Sequence, residues 1–328
     1  MRGGPARALA LALLRGVAVV LVVVLVSVTL LHLAPGDPMA RVTDDATVPD
    51  ALRAQLRAQM GTDRPLPEQV VRWVAYAVRG DLGFSVSAGM PVRDAVAHAL
   101  PYTLLLGGVA LVVGFALGIG IALAQVRTAG RRLDRWLGAG ALAIWALPEF
   151  LIALALIDVF ALRLGWLPTG GVGDLMLGAS AGVGAQFVDR ARHVALPALT
   201  LALVVAAQVA RHQRVALADA WGEPFVRAAR ARGVREGALL LRHAWRAALG
   251  PTIALAGLAL PTLASGAFII EYVYAWPGMG GLAFQALADR DPHLALGCVV
   301  LTAALVVFGG MLADVVQARL DPRRGRVA

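Results

Sequence analysis

Apolar residues in this chain come in long unbroken runs, not at the alternating or three-to-four-residue spacing of half-buried strands and helices. Six such runs, at 15–34, 102–126, 136–162, 194–211, 251–272 and 294–316, carry few charges. Each is close to the roughly 20 residues that a helix needs to cross a hydrocarbon core. The pattern predicts an all-α polytopic membrane protein with six transmembrane helices. The first run follows Arg2, Arg7 and Arg15, as the core of a signal peptide would. Its apolar part, however, continues from Gly16 to Leu31, past the usual signal core of about 7–15 residues. No small-residue cleavage pattern follows in Ala34-Pro35-Gly36-Asp37-Pro38, so this run is expected to stay as an anchor.

The polar segments between the runs set an orientation. Arg127, Arg131, Arg132 and Arg135 fill the short loop 127–135. The loop 212–250 holds Arg214, Arg227, Arg230, Arg232, Arg235, Arg242 and Arg246, and the tail holds Arg319, Arg323, Arg324 and Arg326. These alternate with balanced or acidic loops such as 273–293, where Asp289 and Asp291 face only Arg290. The positive-inside rule then places both termini and both arginine-rich loops in the cytoplasm, which an even number of spans requires. The expected organisation is a cytoplasmic N-terminus and first helix over 1–34, an extracytoplasmic loop region over 35–101, a permease-like core over 102–318, and a cytoplasmic tail over 319–328. Within the loop region, 49–60 and 66–79 read as short helices and Gly80-Asp81-Leu82-Gly83 as a turn. Its role is either a cap over a pathway or a spacer.

Inside the runs, Gly114 and Gly118 form a G-x-x-x-G pair that permits close helix approach. Pro148, Pro197 and Pro261 are expected to bend or interrupt helices. Carboxylates at membrane depth cost about 2.5 kcal/mol or more, so they face protein or water. Glu149 and Asp158 in the third run, and Glu271 at the end of the fifth, are the candidate pathway or gating residues. Asp158 either lines a translocation path or bonds a hydroxyl or arginine in a neighbouring helix. Glu271 precedes Tyr272-Val273-Tyr274-Ala275-Trp276-Pro277-Gly278, an aromatic cluster of the kind found at membrane–water boundaries, and is expected to be interfacial.

Composition narrows the chemistry. Hydrophobic residues make up 59% of the chain and charged residues 16%, which fits the lipid bilayer as its partner and not a large soluble core. The net charge of +9 comes entirely from arginine, since the chain has no lysine. The basic balance is accounted for by membrane topology, with no nucleic acid partner. Without lysine there is no Walker A site, Schiff base or Ser-Lys dyad. The single cysteine, Cys298, excludes an internal disulfide and reads as a small buried hydrophobe. No two of the six histidines stand three or four residues apart, no nucleophile elbow occurs, and no metal site of the chain's own is expected.

Within loop 212–250, Pro224 suits a first helical position and Gly233 a position just past a helix end. Trp221, Phe225 and Ala229 recur at four-residue spacing and make one apolar edge, with Arg227 and Arg230 on another. A second helix is expected over about 235–249. Spacing alone leaves two readings: an amphipathic segment lying on anionic headgroups, or a docking helix for a cytoplasmic partner.

The run Arg227-Ala228-Ala229-x-x-x-Gly233 resembles the E-A-A-x-x-x-G signature of ABC importer permeases, with Arg in place of Glu. Phe225 to Gly233, then Leu241-Arg242-His243-Ala244-Trp245-Arg246 and Pro251, are similar to the R-T-A-R-A-K-G and R-H-A-L-R-N-A-L-x-P pattern of the dipeptide/oligopeptide/nickel permease family. The resemblance extends through Asp63-Arg64-Pro65-Leu66-Pro67, Gly80-Asp81-Leu82-Gly83, Leu164-Gly165-Trp166-Leu167-Pro168, Trp276-Pro277-Gly278-Met279-Gly280 and Asp321-Pro322-Arg323, nearly the whole chain in order.

That resemblance implies a non-catalytic permease subunit for di- or oligopeptides in a bacterial or archaeal cytoplasmic (inner) membrane. Its partners would be a second homologous permease, two ATPase subunits and an extracytoplasmic solute-binding protein. ATP and Mg2+ would bind the ATPases, leaving this chain without a cofactor. The segment 223–234, between the fourth and fifth spans, would be the coupling helix. Phe225, Arg227, Ala228, Ala229, Arg230 and Gly233 would form it, with Phe225, Ala228 and Ala229 packing in an ATPase groove. Import of nickel or a metal chelate is the nearest alternative. An ion-coupled carrier using Asp158, or a membrane scaffold, are readings from other classes.

Overall fold

The computed structural model of the chain describes residues 5–33, 66–174, 182–256 and 267–320. It is built of helices: α1 (Pro5–Leu33), α2 (Leu66–Ala77), α3 (Val92–Arg127), α4 (Arg132–Ala146) and α5 (Glu149–Leu156), which runs on as a π-helical stretch, Ile157–Arg163. After these come α6 (Val183–Gly222), α7 (Pro224–Ala231), α8 (Glu236–Ala238), a π-helical stretch Leu239–Ala244, and α9 (Trp245–Ala247). Three more follow: α10 (Phe268–Val273), α11 (Met279–Ala288) and α12 (Pro292–Leu320). Two short strands, β1 (Phe84–Ser85) and β2 (Met90–Pro91), pair antiparallel with Phe84 opposite Pro91, a small departure from the all-α expectation.

Among the described residues, four helices are long and apolar enough to cross a membrane: α1 over Leu13–Leu30, α3, α6, and α12 over Pro292–Leu312. The chain is a multi-pass membrane protein. The third run, expected as a span over 136–162, is not one continuous helix. It is broken into α4 and α5, which meet at 109°. Pro148 causes the break. Leu147 before it is extended, at φ −82° and ψ 139°, as sterics before proline favour. Pro148 then caps α5. Glu149 therefore sits in the first turn of a new helix, where the helix dipole favours a carboxylate. The run 251–272 falls partly outside the described residues, as do the expected helix 49–60 and Pro261.

Other boundaries also move. α3 begins at Val92, upstream of the apolar run at 102 and inside what the sequence assigned to an extracytoplasmic loop. α6 continues to Gly222, so the loop expected from 212 starts as helix, and Pro197 lies inside α6 without ending it. The expected helix at 66–79 is present as α2.

The chain divides into two compact units. The first takes Met1–Pro101 with Gly278–Phe308. Here Val24 and Val28 of α1 pack with Leu296 and Val300 of α12 and with Trp73 and Val74 of α2. A second cluster joins Val92, Val96 and Ala99 of α3 to Ala286, Leu294 and Cys298, the free cysteine being buried as expected. Asp291 caps α12 through the Leu294 amide at 3.0 Å and also holds the β1–β2 hairpin. It accepts the Ser85 hydroxyl at 2.7 Å, the Ser87 hydroxyl at 3.0 Å and the Ser87 amide at 3.1 Å.

The second unit takes Tyr102–Pro277 with Gly309–Ala328. The G-x-x-x-G pair earns a role here. A Cβ on Gly114 would stand 2.8 Å from Val205 Cβ, and one on Gly118 2.7 Å from Val209 Cβ and 2.8 Å from the Ala206 carbonyl. α3 and α6 thus touch backbone to side chain, and no larger residue fits.

Candidate functional site

The arginine-rich segment folds as α7, a two-turn helix set between the end of α6 and the start of α8. The backbone breaks at Glu223, which is extended, and Pro224 restarts it at a position where the missing N–H costs nothing. The end is a Schellman motif. Gly233 N–H donates to Arg230 O at 2.9 Å and Val234 N–H to Ala229 O at 3.3 Å, with Gly233 at φ +81°. No atom stands within 4 Å of a Cβ built on Gly233, so the glycine serves the backbone turn and not close packing.

The face of α7 differs from the spacing argument. Val226 and Ala229 are the buried pair, at 0% and 1% exposure, whereas Phe225 is 42% exposed and Ala228 is exposed. Trp221 belongs to α6, and the break at Glu223 cancels the four-residue register that linked it to Phe225. Ala229, expected to face a partner, is turned inward. Val226 packs with Leu217 and Ala220 of α6, Ala122 and Val126 of α3, and Leu240, Ala244 and Ala248 beyond α7. Phe225, Arg227 and Ala228 make the outer face.

Arg230 braces α7 on both flanks. Its guanidinium stands 5.2 Å from the Trp221 ring centroid and bonds Glu236 at 2.7 and 3.2 Å, and that hydrogen bond holds its pKa above the ordinary value. Deeper in, buried Gln213 of α6 donates to Ala248 O at 3.1 Å and accepts the Thr252 hydroxyl, tying α6 to the segment that follows α9. Sequence reasoning passed over Gln213. A lone amide on an otherwise apolar helical face is the signal that marks it.

The three carboxylates singled out from sequence do not come together. Asp158 lies in the π-helical stretch after α5, half exposed, with Arg163 of the same stretch 2.8 Å away. Its arginine partner is local, not on a neighbouring helix. Glu149 starts α5 and is half-buried. Glu271 is at 0% exposure and accepts the Thr103 hydroxyl at 2.6 Å. The aromatic cluster after it is likewise buried in part. Tyr274 donates to Ala153 O at 3.2 Å and lies 3.0 Å from the Thr200 hydroxyl. Trp276 donates to Tyr102 O at 3.1 Å and stacks edge-on to Tyr102.

A further polar assembly went unseen in the sequence. Asp134 of α4 accepts both Nε and Nη2 of Arg214 of α6, at 3.1 and 3.0 Å, and also the Gly130 amide at 3.1 Å. Arg211, one turn earlier on α6, lies with its guanidinium 4.5 Å from the Trp145 ring centroid. Among the described residues no group of three or more His, Cys, Asp or Glu side chains is placed to hold a metal ion.

Residues 114–326 match the family described as binding-protein-dependent transport system inner membrane component. The chain is 32% identical to the oligopeptide transport system permease protein AppB of Bacillus subtilis (strain 168), over 94% of this chain and 96% of that protein. It is 35% identical to the oligopeptide transport system permease protein OppB of Mycobacterium tuberculosis (strain ATCC 25618 / H37Rv), over 80% of this chain and 82% of that one. It is 28% identical to the dipeptide transport system permease protein DppB of Escherichia coli (strain K12), over 92% and 93% respectively.

Proposed function

The chain belongs to the family of inner membrane components of binding-protein-dependent transport systems, and we propose that it forms half of the translocation pathway of an ATP-driven importer of di- and oligopeptides. A second, homologous permease encloses the other half. An extracytoplasmic binding protein delivers substrate, and two ATPase subunits drive the cycle from the cytoplasm. The chain itself catalyses nothing. Peptides are the favoured cargo because the relatives that match over most of its length are peptide permeases by name.

One observation carries this reading: α7 has an inner face fastened into its own chain and an outer face left to another. Val226 and Ala229 fasten it, and Phe225, Arg227 and Ala228 remain for an ATPase groove. An amphipathic segment resting on lipid would turn its apolar side outward as a continuous stripe. α7 instead buries Val226 and Ala229 against its own chain and shows a single large aromatic, Phe225, on its outer face, an arrangement suited to an anchor residue in a protein pocket. Alternating access follows when the ATPases close and displace α7, provided its outer contacts differ between the two states.

The test is Phe225→Ala against Val226→Ala in the co-expressed transporter. Phe225→Ala is expected to leave the thermal midpoint of the permease unchanged while the ATPases no longer co-purify and peptide uptake falls. Val226→Ala is expected to lower the midpoint as well. Full ATPase recovery and uptake with Phe225→Ala refutes the docking role.

A further inference from the structure

Between α4 and α6 lies a cavity of about 410 Å3, lined among others by Asp134, Arg135, Gly138, Arg211 and Arg214. That volume falls in the range of small-ligand clefts. Its charge is not balanced from within. Asp134 and Arg214 neutralise each other through their bidentate pair. Arg135 and Arg211 have no carboxylate within ion-pair distance among the described residues, so the described lining carries two positive charges without a paired carboxylate. Arg211 is also pre-positioned. Its guanidinium is stacked on Trp145, which spares the in-plane N–H donors for an acceptor in the cavity. Gly138 keeps the α4 wall without a side chain.

The surroundings select the ligand. α4 exposes Trp136, Leu142 and Trp145 beside the arginines. Indole rings next to arginines mark the headgroup level of a bilayer, and basic pockets between spans at that level suit phosphate headgroups. We propose that the cavity takes a phosphate group, supplied by the headgroup of an anionic phospholipid, with Arg135 and Arg211 as its ligands. Acyl chains then lie along the exposed apolar side of α4. A bound lipid would bridge α4 to α6, the helix that leads into α7. The inference needs this chain to sit in a bilayer, as the proposed function does, but it does not depend on transport.

The experiment titrates the full purified chain, in a zwitterionic detergent, with short-chain phosphatidylglycerol, short-chain phosphatidylcholine and inorganic phosphate, read by calorimetry. Phosphatidylglycerol is expected to bind saturably and phosphatidylcholine not to. Arg135→Gln and Arg211→Gln are each expected to weaken binding roughly tenfold, the loss of one charge-assisted contact. Arg192→Gln, an exposed arginine outside the cavity, is expected to change nothing. Arg135 is exposed and holds no structural partner among the described residues, so its variant tests the site even where Arg211→Gln disturbs folding. Equal affinity for inorganic phosphate overturns the lipid in favour of a soluble anion. Absent phosphatidylglycerol binding, or binding indifferent to both arginines, overturns the site. In either case peptide uptake that persists leaves the permease reading standing, whereas uptake absent with lipid binding intact counts against that reading alone.

Discussion

Gly233 offers the sharpest perturbation because its surroundings contribute nothing to the result. At φ +81° the residue is in the left-handed region, and a Cβ there meets no atom within 4 Å. A substitution therefore acts only through the backbone, and the cost of each side chain follows its tolerance of that region. Asparagine visits it with little strain. Alanine costs about 1 kcal/mol, and β-branched valine about 2 kcal/mol or more. Both bonds that close α7, Gly233 to Arg230 and Val234 to Ala229, depend on that conformation. The ratio of opened to closed helix end is expected to rise roughly fivefold for Gly233→Ala and about thirtyfold for Gly233→Val, with Gly233→Asn close to the parent. Hydrogen exchange at the amides of 231–234 reads the ratio directly, and peptide-stimulated ATP turnover of the assembled transporter reads its consequence. The order Gly, Asn, Ala, Val in both measurements is the expected result. Equal loss of coupling in Asn and Val, or a Val variant with undiminished amide protection, refutes the argument from backbone conformation.

Gly118→Ala is expected to cost about 1–3 kcal/mol, since its methyl group would overlap Val209 and the Ala206 carbonyl, while Gly108→Ala, with open space around it, leaves the thermal midpoint unchanged or raised. Burial pushes the Asp291 carboxyl up, but the bonds from Leu294, Ser85 and Ser87 together outweigh it and hold the pKa below the usual carboxylate range. A depressed folded pKa contributes stability that is complete above the unfolded value of about 3.9 and is lost as pH falls through the folded one. Amide protection of the 84–91 hairpin, corrected for intrinsic exchange, is therefore expected to hold from pH 8 to pH 5 and to drop only below about pH 4, and Asp291→Asn is expected to weaken it between pH 5 and pH 8 and to abolish the acid drop. Thr103→Val removes a donor from a buried carboxylate and is expected to cost about 1.5–3 kcal/mol, whereas Asp158→Asn, at a half-exposed local pair, is expected to stay within about 0.5 kcal/mol and to leave uptake intact. Uptake abolished by Asp158→Asn with ATP turnover preserved would revive an ion-coupled mechanism.

What the sequence disclosed follows the range of the interactions involved. The ends of α7 were legible because Pro224 and Gly233 act on their own backbone. The spans were legible because hydropathy over about 20 residues needs no knowledge of neighbours. The break at Pro148 was only half legible. The proline is visible, but hydropathy is blind to direction and cannot tell a bent pair from one continuous helix. The burial of Glu271 was not legible for a different reason. Glu271 is bonded by Thr103, which lies 168 positions away in the chain, and no local pattern encodes that contact. The inward turn of Ala229 failed at the same level. The face a short helix presents is fixed by the cluster beneath it, and that cluster draws on α3, α6 and the stretch after α8.

That cluster also decides what holds α7 in place. Two devices compete for the role, the Arg230–Glu236 pair and the seating of Val226. The pair is exposed, with side chains 42% and 63% accessible, and an ion pair in that setting contributes between nothing and about 1 kcal/mol. Val226 is wholly buried, and burying its side chain contributes about 1.5–3 kcal/mol. The hydrophobic seat therefore dominates, and the Arg230–Glu236 pair adds the smaller contribution. A helix held this way transmits displacement through packing. Val226 shares one buried cluster with Ala122 and Val126 at the end of α3, Leu217 and Ala220 of α6, and Leu240 and Ala244 of the π-helical stretch. Gln213 then carries the α6 side of that load across to Ala248 and Thr252. On the proposed reading, an ATPase that moves Phe225 displaces together the end of α3, α6 and the π-helical stretch that follows α8. On that reading the Schellman turn at Gly233, closed by two hydrogen bonds, would act as a stop that keeps the push from being absorbed as bending between α7 and α8.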